Sequence, residues 1–162
     1  MSSVIRHVDP SNAELEIFGT LSFLASFDAR LKHASLREIE ERFLWPAKLG
    51  LTNIFRDARG RAVAGMVFAY LDAPREAQLL SGALLRGESD LLSGNNLWVT
   101  HLMSPFTDAG KLLRPFAKSG TGGVSFRYPR LNSDGILTHY VECAPDAQGV
   151  FRVRKVKLTK QG

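Results

Sequence analysis

Apolar residues recur at helical spacing over the first third of the chain. In Ser11–Leu31 they form a stripe near one face, made of Leu15, Ile17, Phe18, Leu21, Leu24 and Ala25. Phe23 and Phe27 widen this stripe, which predicts a helix buried on more than one side. Ser11 and Glu14 have the spacing of a capping box, so the helix is predicted to begin at Ser11.

A second helix is predicted from Ser35, which has the same capping-box spacing to Glu38. Its apolar face consists of Leu36, Ile39 and Phe43. Pro46 has no N–H group to donate, so this helix is predicted to end near it.

The spacing of apolar residues then changes to the alternation typical of strands. Two such runs, "LTNIFRD" and "AVAGMVFAYL", are joined by "ARGR", which predicts a hairpin. A helix is predicted in "APREAQLLSGALLR", a connecting loop in "GESDLLSGNN" and a strand in "LWVTHLMS". A short helix follows in "TDAGKLLRPFAK", with Thr107 as its N-cap.

Three more strands are predicted towards the end of the chain, in "VSFRYPR", "GILTHYVEC" and "GVFRVRKVKL". The first two flank the turn signal "LNSDG". In the last strand the alternation changes phase at Arg154–Lys155, which predicts a bulge or a frayed end. The whole order is ααββαβαβββ, which indicates an α/β or α+β domain with a mostly antiparallel sheet, spanning residues 1–162.

Composition narrows the classes of protein that fit this pattern. A hydrophobic content of 44% supports a packed core rather than disorder. The net charge of +5 favours acidic partners, either nucleic acid or an acidic carrier protein. Cys143 is the single cysteine, so no disulfide can form within the chain and no cysteine-rich metal site is expected.

The same features predict a cytoplasmic protein. The N-terminal segment lacks the basic start and apolar run of a signal peptide. No apolar run approaches the roughly 20 residues that span a bilayer, so no membrane span is expected.

Among the polar residues, His101 is the strongest candidate for chemistry. It lies near the end of a strand, just before a turn and a helix start, where sheet proteins often place reactive groups. Strict alternation places it on one face with Leu97, Val99 and Met103. A structural and a catalytic role remain equally compatible with this position. None of the four histidines has the spacing of a metal-binding motif, so no metal site is expected.

Other candidates have simpler interpretations. His139 alternates with Leu137 and Val141, as a core or edge histidine would, and Cys143 has no activating group near it in sequence, so it is expected to be buried. The last strand carries Arg152, Arg154, Lys155, Lys157 and Lys160. These cations indicate either a solvated sheet edge or a docking patch for an acidic partner.

The stretch "LWVTHLMSPFTDAGKLLRPF" resembles the signature of the RTX toxin-activating lysine acyltransferases, the hemolysin-activating family. In that signature an aromatic-rich strand, an acidic residue and an apolar pair precede Ala-Pro-Phe-Gly and a helix. Here Trp98 matches the aromatic residue and Ser104-Pro105-Phe106 matches Ala-Pro-Phe. "IFGTLSFLASFDARLKH" resembles the first helix, which leads to a histidine, here His33.

Two further segments extend the resemblance to roughly Glu14–Glu142. "LWPAKLGLTNIFRDARGRAVAGMVFAYL" resembles the segment in which Pro-Ala precedes two strands, and "VSFRYPRLNSDGILTHYVE" resembles the late hairpin. The resemblance implies a GNAT-like fold. It also implies transfer of a fatty acyl group from acyl carrier protein to internal lysines of an RTX-type protoxin, in the cytosol.

The resemblance also implies site residues. The catalytic histidine corresponds to His33, as a general base or a transient acyl carrier, and the catalytic aspartate position is occupied by His101. Ser104, Thr107 and Gly110 would line the pantetheine arm of the carrier protein, so the donor is its acyl-phosphopantetheine and no permanently bound cofactor is expected. The family's polar residue near the second helix is replaced by Phe43, and its Gly after Pro-Phe by Thr107.

Loss of the aspartate leaves two functions open. A neutral imidazole at position 101 can still accept a proton or a hydrogen bond, so a His–His site is chemically feasible. The alternative is a weakened or inactive binding module that holds acyl carrier protein or another partner protein. Nucleic-acid binding rests on charge alone and is not favoured, because no recognition motif is found. The sequence leaves open whether the chain forms a homodimer.

Overall fold

The fold is a six-stranded sheet flanked by helices, in a computed structural model that describes residues 9–115, 124–132 and 134–158. In these residues the helices are α1 (Asn12–Ala25), α2 (Leu36–Leu49), α3 (Ala73–Leu80), α4 (Gly87–Leu91) and α5 (Ala109–Pro115). The strands are β1 (Thr52–Arg56), β2 (Ala62–Leu71), β3 (Asn96–Met103), β4 (Phe126–Leu131), β5 (Leu137–Pro145) and β6 (Phe151–Lys157). The predicted mixed α/β class is therefore confirmed, with one helix, α4, more than expected.

The strands follow one another in the sheet in chain order, β1 to β6. All neighbours are antiparallel except β3 and β4, which run parallel. This parallel pair is joined only at Leu97–Phe126 and Trp98–Arg127. Beyond these two positions β3 remains paired to β2, and β4 to β5. The sheet therefore opens along one line, between β3 and β4.

Helix α1 packs directly on the sheet. The capping box of Ser11 and Glu14 is present, and Leu21, Leu24 and Ala25 are buried. A Cβ atom on Gly65 of β2 would lie 2.8 Å from Leu21 Cδ2, so this glycine allows the close approach.

The prediction of helix to Leu31 is wrong. Helix α1 ends at Ala25, and the Asp28 carboxylate then accepts the backbone N–H of Arg30 at 2.8 Å, which stabilises a turn. The prediction that Phe23 and Phe27 are buried is also wrong, because they are 52% and 53% exposed. Their rings contact each other and Phe106 instead.

Helix α2 has the predicted capping box of Ser35 and Glu38 and buries Ile39 and Phe43. Leu36, predicted for the same face, is 88% exposed. The predicted end near Pro46 is wrong, since the helix continues to Leu49 and is capped by Gly50 in the left-handed conformation (φ 70°). Pro46 itself is buried, so packing outweighs the hydrogen bond that proline cannot make.

Helices α3 and α4 replace one longer predicted helix and a predicted loop. Asp72 caps α3 by accepting the backbone N–H of Arg75 at 2.9 Å, and the helix ends at Leu80, before Gly82 (φ 82°). The loop prediction is wrong because α4 forms around Asp90. This buried carboxylate accepts from Arg75 Nε at 2.6 Å and from the Arg86 backbone N–H at 2.8 Å.

A bulge in β3 changes the predicted faces of that strand. Val67 pairs with His101 and Phe68 with Val99, so Thr100 has no partner in the register. Leu97 and Val99 belong to an apolar cluster with Phe126, whereas Met103 packs with α1 and α2. The prediction of one common face for these residues is therefore wrong, because an extra residue reverses the alternation.

The last strand is regular where a bulge or frayed end was predicted. The β5–β6 register runs without a shift from His139–Lys157 to Pro145–Phe151. Lys160 lies outside the described residues. Cys143 is buried as expected, and burial raises the pKa of its thiol. In the described ranges we find no helix whose length and apolar character would let it cross a membrane.

Candidate functional site

A cleft of about 1180 Å³ opens along the line where β3 and β4 separate. Val99–Leu102 of β3 form one wall and Tyr128–Leu131 of β4 the other. The turn after α1 and helix α5 also contribute to the lining, with Asp28–Leu31, Ala109 and Leu113. Arg42 of α2 also lines the cleft. The lining mixes apolar side chains with charged ones, which are Asp28, Arg30 and Arg42 on one side and Arg130 and Asp134 on the other.

The bulge brings Thr100 and His101 together. Thr100 Oγ1 donates to the Val67 carbonyl at 3.2 Å, so it accepts from His101 Nδ1–H, also at 3.2 Å. His101 Nε2 is then left with a lone pair, which accepts from Arg42 Nη1 at 3.3 Å. Both ring nitrogens are therefore occupied, and the network assigns the neutral Nδ1–H tautomer.

Electrostatics support the same neutral state. Burial together with the positive charges of Arg42 and Arg30 lowers the pKa of His101 to about 3, because these effects outweigh the opposite effect of the nearby Asp28. The edge of the Phe43 ring adds an apolar neighbour, with ring centroids 5.5 Å apart. His101 therefore stays uncharged at neutral pH.

Arg42 is the least satisfied cation at this site. Its Nε atom is buried and has no hydrogen-bond partner among the described residues, and its Nη1 atom donates to His101. No carboxylate of the described segments lies within ion-pair distance of it, whereas Arg30 is paired with Asp28 at 2.9 Å. Burial raises the pKa of Asp28, but the hydrogen bonds from Arg30 outweigh this and hold it below its usual value. Arg42 thus has donors left for a ligand.

His33 lies in the turn between α1 and α2, and its side chain is exposed. It is two residues beyond Leu31, the last residue of that turn in the cleft wall, and is not itself part of the lining. In the part of the chain that the structure describes, its ring makes no hydrogen bond. The two histidines therefore differ in setting, one outside the cleft and one in its wall.

The three residues predicted to contact the pantetheine arm, Ser104, Thr107 and Gly110, are not among the described residues that line the cleft. Ser104 Oγ donates to the Thr107 carbonyl, which fixes the turn before α5. Asp108, not the predicted Thr107, occupies the N-cap position, since α5 begins at Ala109 and the Asp108 carboxylate accepts from Gly110 N at 2.7 Å. From this helix, Ala109 and Leu113 reach the lining instead.

Sequence reasoning missed Arg42, Thr100 and the Asp28–Arg30 pair. Arg42 lies between Ile39 and Phe43, the predicted core positions of α2. Its contact with His101 could not be predicted, because the two residues are far apart in the sequence. Thr100 directly precedes His101, and this Thr-His sequence within a strand could have indicated the contact between the hydroxyl and the ring. No group of three or more potential metal-ligating side chains occurs in the described ranges.

An α/β fold with a mostly antiparallel sheet that opens over an apolar cleft is consistent with the GNAT-like acyltransferase class. The sequence model of the RTX toxin acyltransferase family matches residues 11–142. The chain belongs to this family of toxin-activating acyltransferases. No curated protein matches the chain.

Proposed function

We propose that this protein moves a fatty acyl group from acyl carrier protein to internal lysines of an RTX-type protoxin, in the cytosol. The observation that supports this most is the cleft between β3 and β4, combined with membership of the family. The apolar side chains on both walls suit an acyl chain and a pantetheine arm, and the volume of about 1180 Å³ leaves space for a lysine side chain.

The reaction is an aminolysis of a thioester. The lysine nitrogen forms a bond to the carbonyl carbon, the carbon–sulfur bond breaks, and the thiolate leaves with the phosphopantetheine arm of the carrier. A lysine amine has a reference pKa near 10.4, so a base must remove its proton at neutral pH. We assign this role to His33, as general base or as a transient acyl carrier, acting at the rim of the cleft from its exposed position two residues beyond Leu31. The lysine ammonium loses two protons in forming the amide: one is released to solvent by way of the base, and the other passes to the departing sulfur.

His101 acts in this proposal as the partner group, through Arg42. Its basic nitrogen already accepts from Arg42, so it orients the guanidinium rather than accepting the lysine proton. The Arg42 guanidinium lines the cleft, and its positive charge can stabilise the negative charge that forms on the thioester oxygen. Ser104, Thr107 and Gly110 would form the adjoining contact for the pantetheine arm.

The test is a purified assay with acylated carrier protein and a protoxin, read by mass spectrometry of the acceptor lysines. His33→Ala should lower the initial rate by about 10²–10⁴, the usual contribution of acid–base catalysis. Its unfolding free energy should change by less than about 0.5 kcal/mol, because the side chain is exposed. Lys32→Ala, in the same exposed turn, is the matched control. A His33→Ala rate within twofold of the parent would remove the catalytic assignment.

A second candidate function is a binding module without turnover. It is favoured by one observation, the capture of His101 Nε2 by Arg42 where the family has a carboxylate. His101→Asp distinguishes the two functions. If acylation appears only in that variant, the parent chain binds its partner without catalysis. The new carboxylate would form an ion pair with Arg42. The double variant His101→Asp/Arg42→Gln is therefore needed to separate the effect of the carboxylate from that of the ion pair.

A further inference from the structure

The cations of β6 fall into two groups that differ in their partners. Side chains alternate between the two faces of a strand. Arg152 and Arg154 therefore lie on one face of β6, and Lys155 and Lys157 lie on the other. Arg152 pairs with Asp146 at 2.9 Å and Arg154 with Glu142 at 2.8 Å. Neither lysine forms an ion pair with any residue in the described ranges.

The unpaired lysines continue a row of cations that crosses three strands. Arg130 of β4 is opposite His139 of β5, and His139 is opposite Lys157 of β6, so these three side chains lie on one face. Lys155 lies two residues before Lys157 on this face. We call these four residues the basic face. Burial lowers the pKa of His139, and the charges of Lys155 and Arg130 lower it further, as expected for like charges close together.

The basic face begins at the cleft. Arg130 lines the cleft and carries the row outward from its wall. Beside the lysines, Val153 is 70% exposed on the same face, opposite Cys143. An exposed apolar side chain next to unpaired cations is suited to a protein partner with an acidic surface. The alternative is that these cations only protect the sheet edge from aggregation. That role does not explain why the arginines of one face are ion-paired while the lysines of the other face are not.

We propose that the basic face docks the acidic carrier protein that delivers the acyl thioester into the cleft. This inference rests on the proposed function, because it assumes that the donor is attached to a protein. Docking at Arg130, Lys155 and Lys157 would place the carrier at the end of the cleft where its arm can enter between β3 and β4.

The test compares two double variants that each remove two positive charges from β6. Lys155→Gln/Lys157→Gln changes the basic face, and Arg152→Gln/Arg154→Gln changes the opposite, ion-paired face. The first should raise the Kd for purified holo acyl carrier protein at least tenfold at low salt and reduce its dependence on salt. The second should stay within about twofold. Equal losses in both would overturn the proposal, since net charge alone would then explain them.

Turnover separates this proposal from the proposed function. With acyl-pantetheine as donor, which lacks the carrier protein, Lys155→Gln/Lys157→Gln should react at the parental rate. With acylated carrier protein, its KM should rise and its kcat should not. A parent chain that binds carrier protein but transfers nothing would contradict the proposed function and leave the docking surface supported. Tight binding of single-stranded DNA without binding of carrier protein would overturn the docking proposal.

Discussion

Two Thr-His pairs in this protein have the same local structure and opposite surroundings. Thr100–His101 and Thr138–His139 each lie at a shift in strand register, where the threonine has no partner in the neighbouring strand. In both, the hydroxyl donates at 3.2 Å to the carbonyl of the residue opposite the histidine, and contacts Nδ1 of the ring. The same bulge structure therefore occurs twice in the sheet, once at each Thr-His pair.

The surroundings decide what each pair can do. His101 is enclosed by α2 and bonded to Arg42, whereas His139 lies among the cations of the basic face. The first is a neutral acceptor that orients a guanidinium in the cleft wall. The second belongs to a surface that can meet a partner. The difference teaches that the role of an imidazole here follows from its neighbours beyond the strand.

The largest effect is expected from removing Arg42, because Thr100–His101 then loses the contact that distinguishes it from Thr138–His139. In Arg42→Met, kcat for acyl transfer should fall by about 10²–10³ with little change in KM, as when one oxyanion donor is lost. The pKa of His101, measured by NMR titration, should rise because one of the charges that lowers it is gone. Arg37→Met, at an 85% exposed side chain on the same helix, is the control. An unchanged His101 titration would contradict the Arg42–His101 contact.

The two histidines should also differ in how they affect stability at acid pH. The folded-state pKa of His101, about 3, is below the unfolded value near 6.5, so between these values the unfolded chain binds the additional proton. The contribution of His101 to the free energy of unfolding is therefore lost as the pH falls below 6.5, and this loss reaches up to about 3 kcal/mol at pH 4.5. Urea unfolding at pH 7 and 4.5 should show that His101→Gln removes this loss.

His139→Gln is the matched control for that experiment. The pKa of His139 is also lowered, but its ring is less enclosed, so this variant should change the pH dependence of the parent chain much less than His101→Gln does. If both glutamine variants have the same pH dependence as the parent, His101 is not enclosed as described.

The smallest effect is expected from the threonines. Thr100→Val removes the acceptor of His101 Nδ1–H and should lower the unfolding free energy by about 1 kcal/mol. Thr138→Val makes the same change at the exposed pair and should cost less than about 0.5 kcal/mol. Thermal or urea unfolding at pH 7 measures both. Equal costs would mean that burial does not separate the two bulges.

Much of the fold could be predicted because its signals are local. Both capping boxes are made by side chains three residues apart, so Ser11 with Glu14 and Ser35 with Glu38 were readable in sequence and are present. Alternation and turn residues identified each strand. Pro46 was misleading because its cost is local, whereas the burial that offsets it depends on residues elsewhere in the chain.

The site was less predictable because its contacts join distant segments. Arg42 reaches His101 across 59 positions, and no period or motif in α2 indicates that contact. The bulge at Thr100 reversed the face expected from strict alternation, and it depends on register with β2. His33 and His101 could be named from the family resemblance, but not their different exposure.

By itself the sequence determined the strands, the capping boxes of α1 and α2, the mostly antiparallel sheet and the family to which the chain belongs. These follow from residues near one another in the chain or from a matching motif. Only the tertiary structure decided that His101 is neutral and bonded to Arg42, and that, within the described residues, Lys155 and Lys157 form no ion pair while the arginines of β6 do. Burial and charge pairing are properties of neighbours in space, and the folded chain alone defines those neighbours.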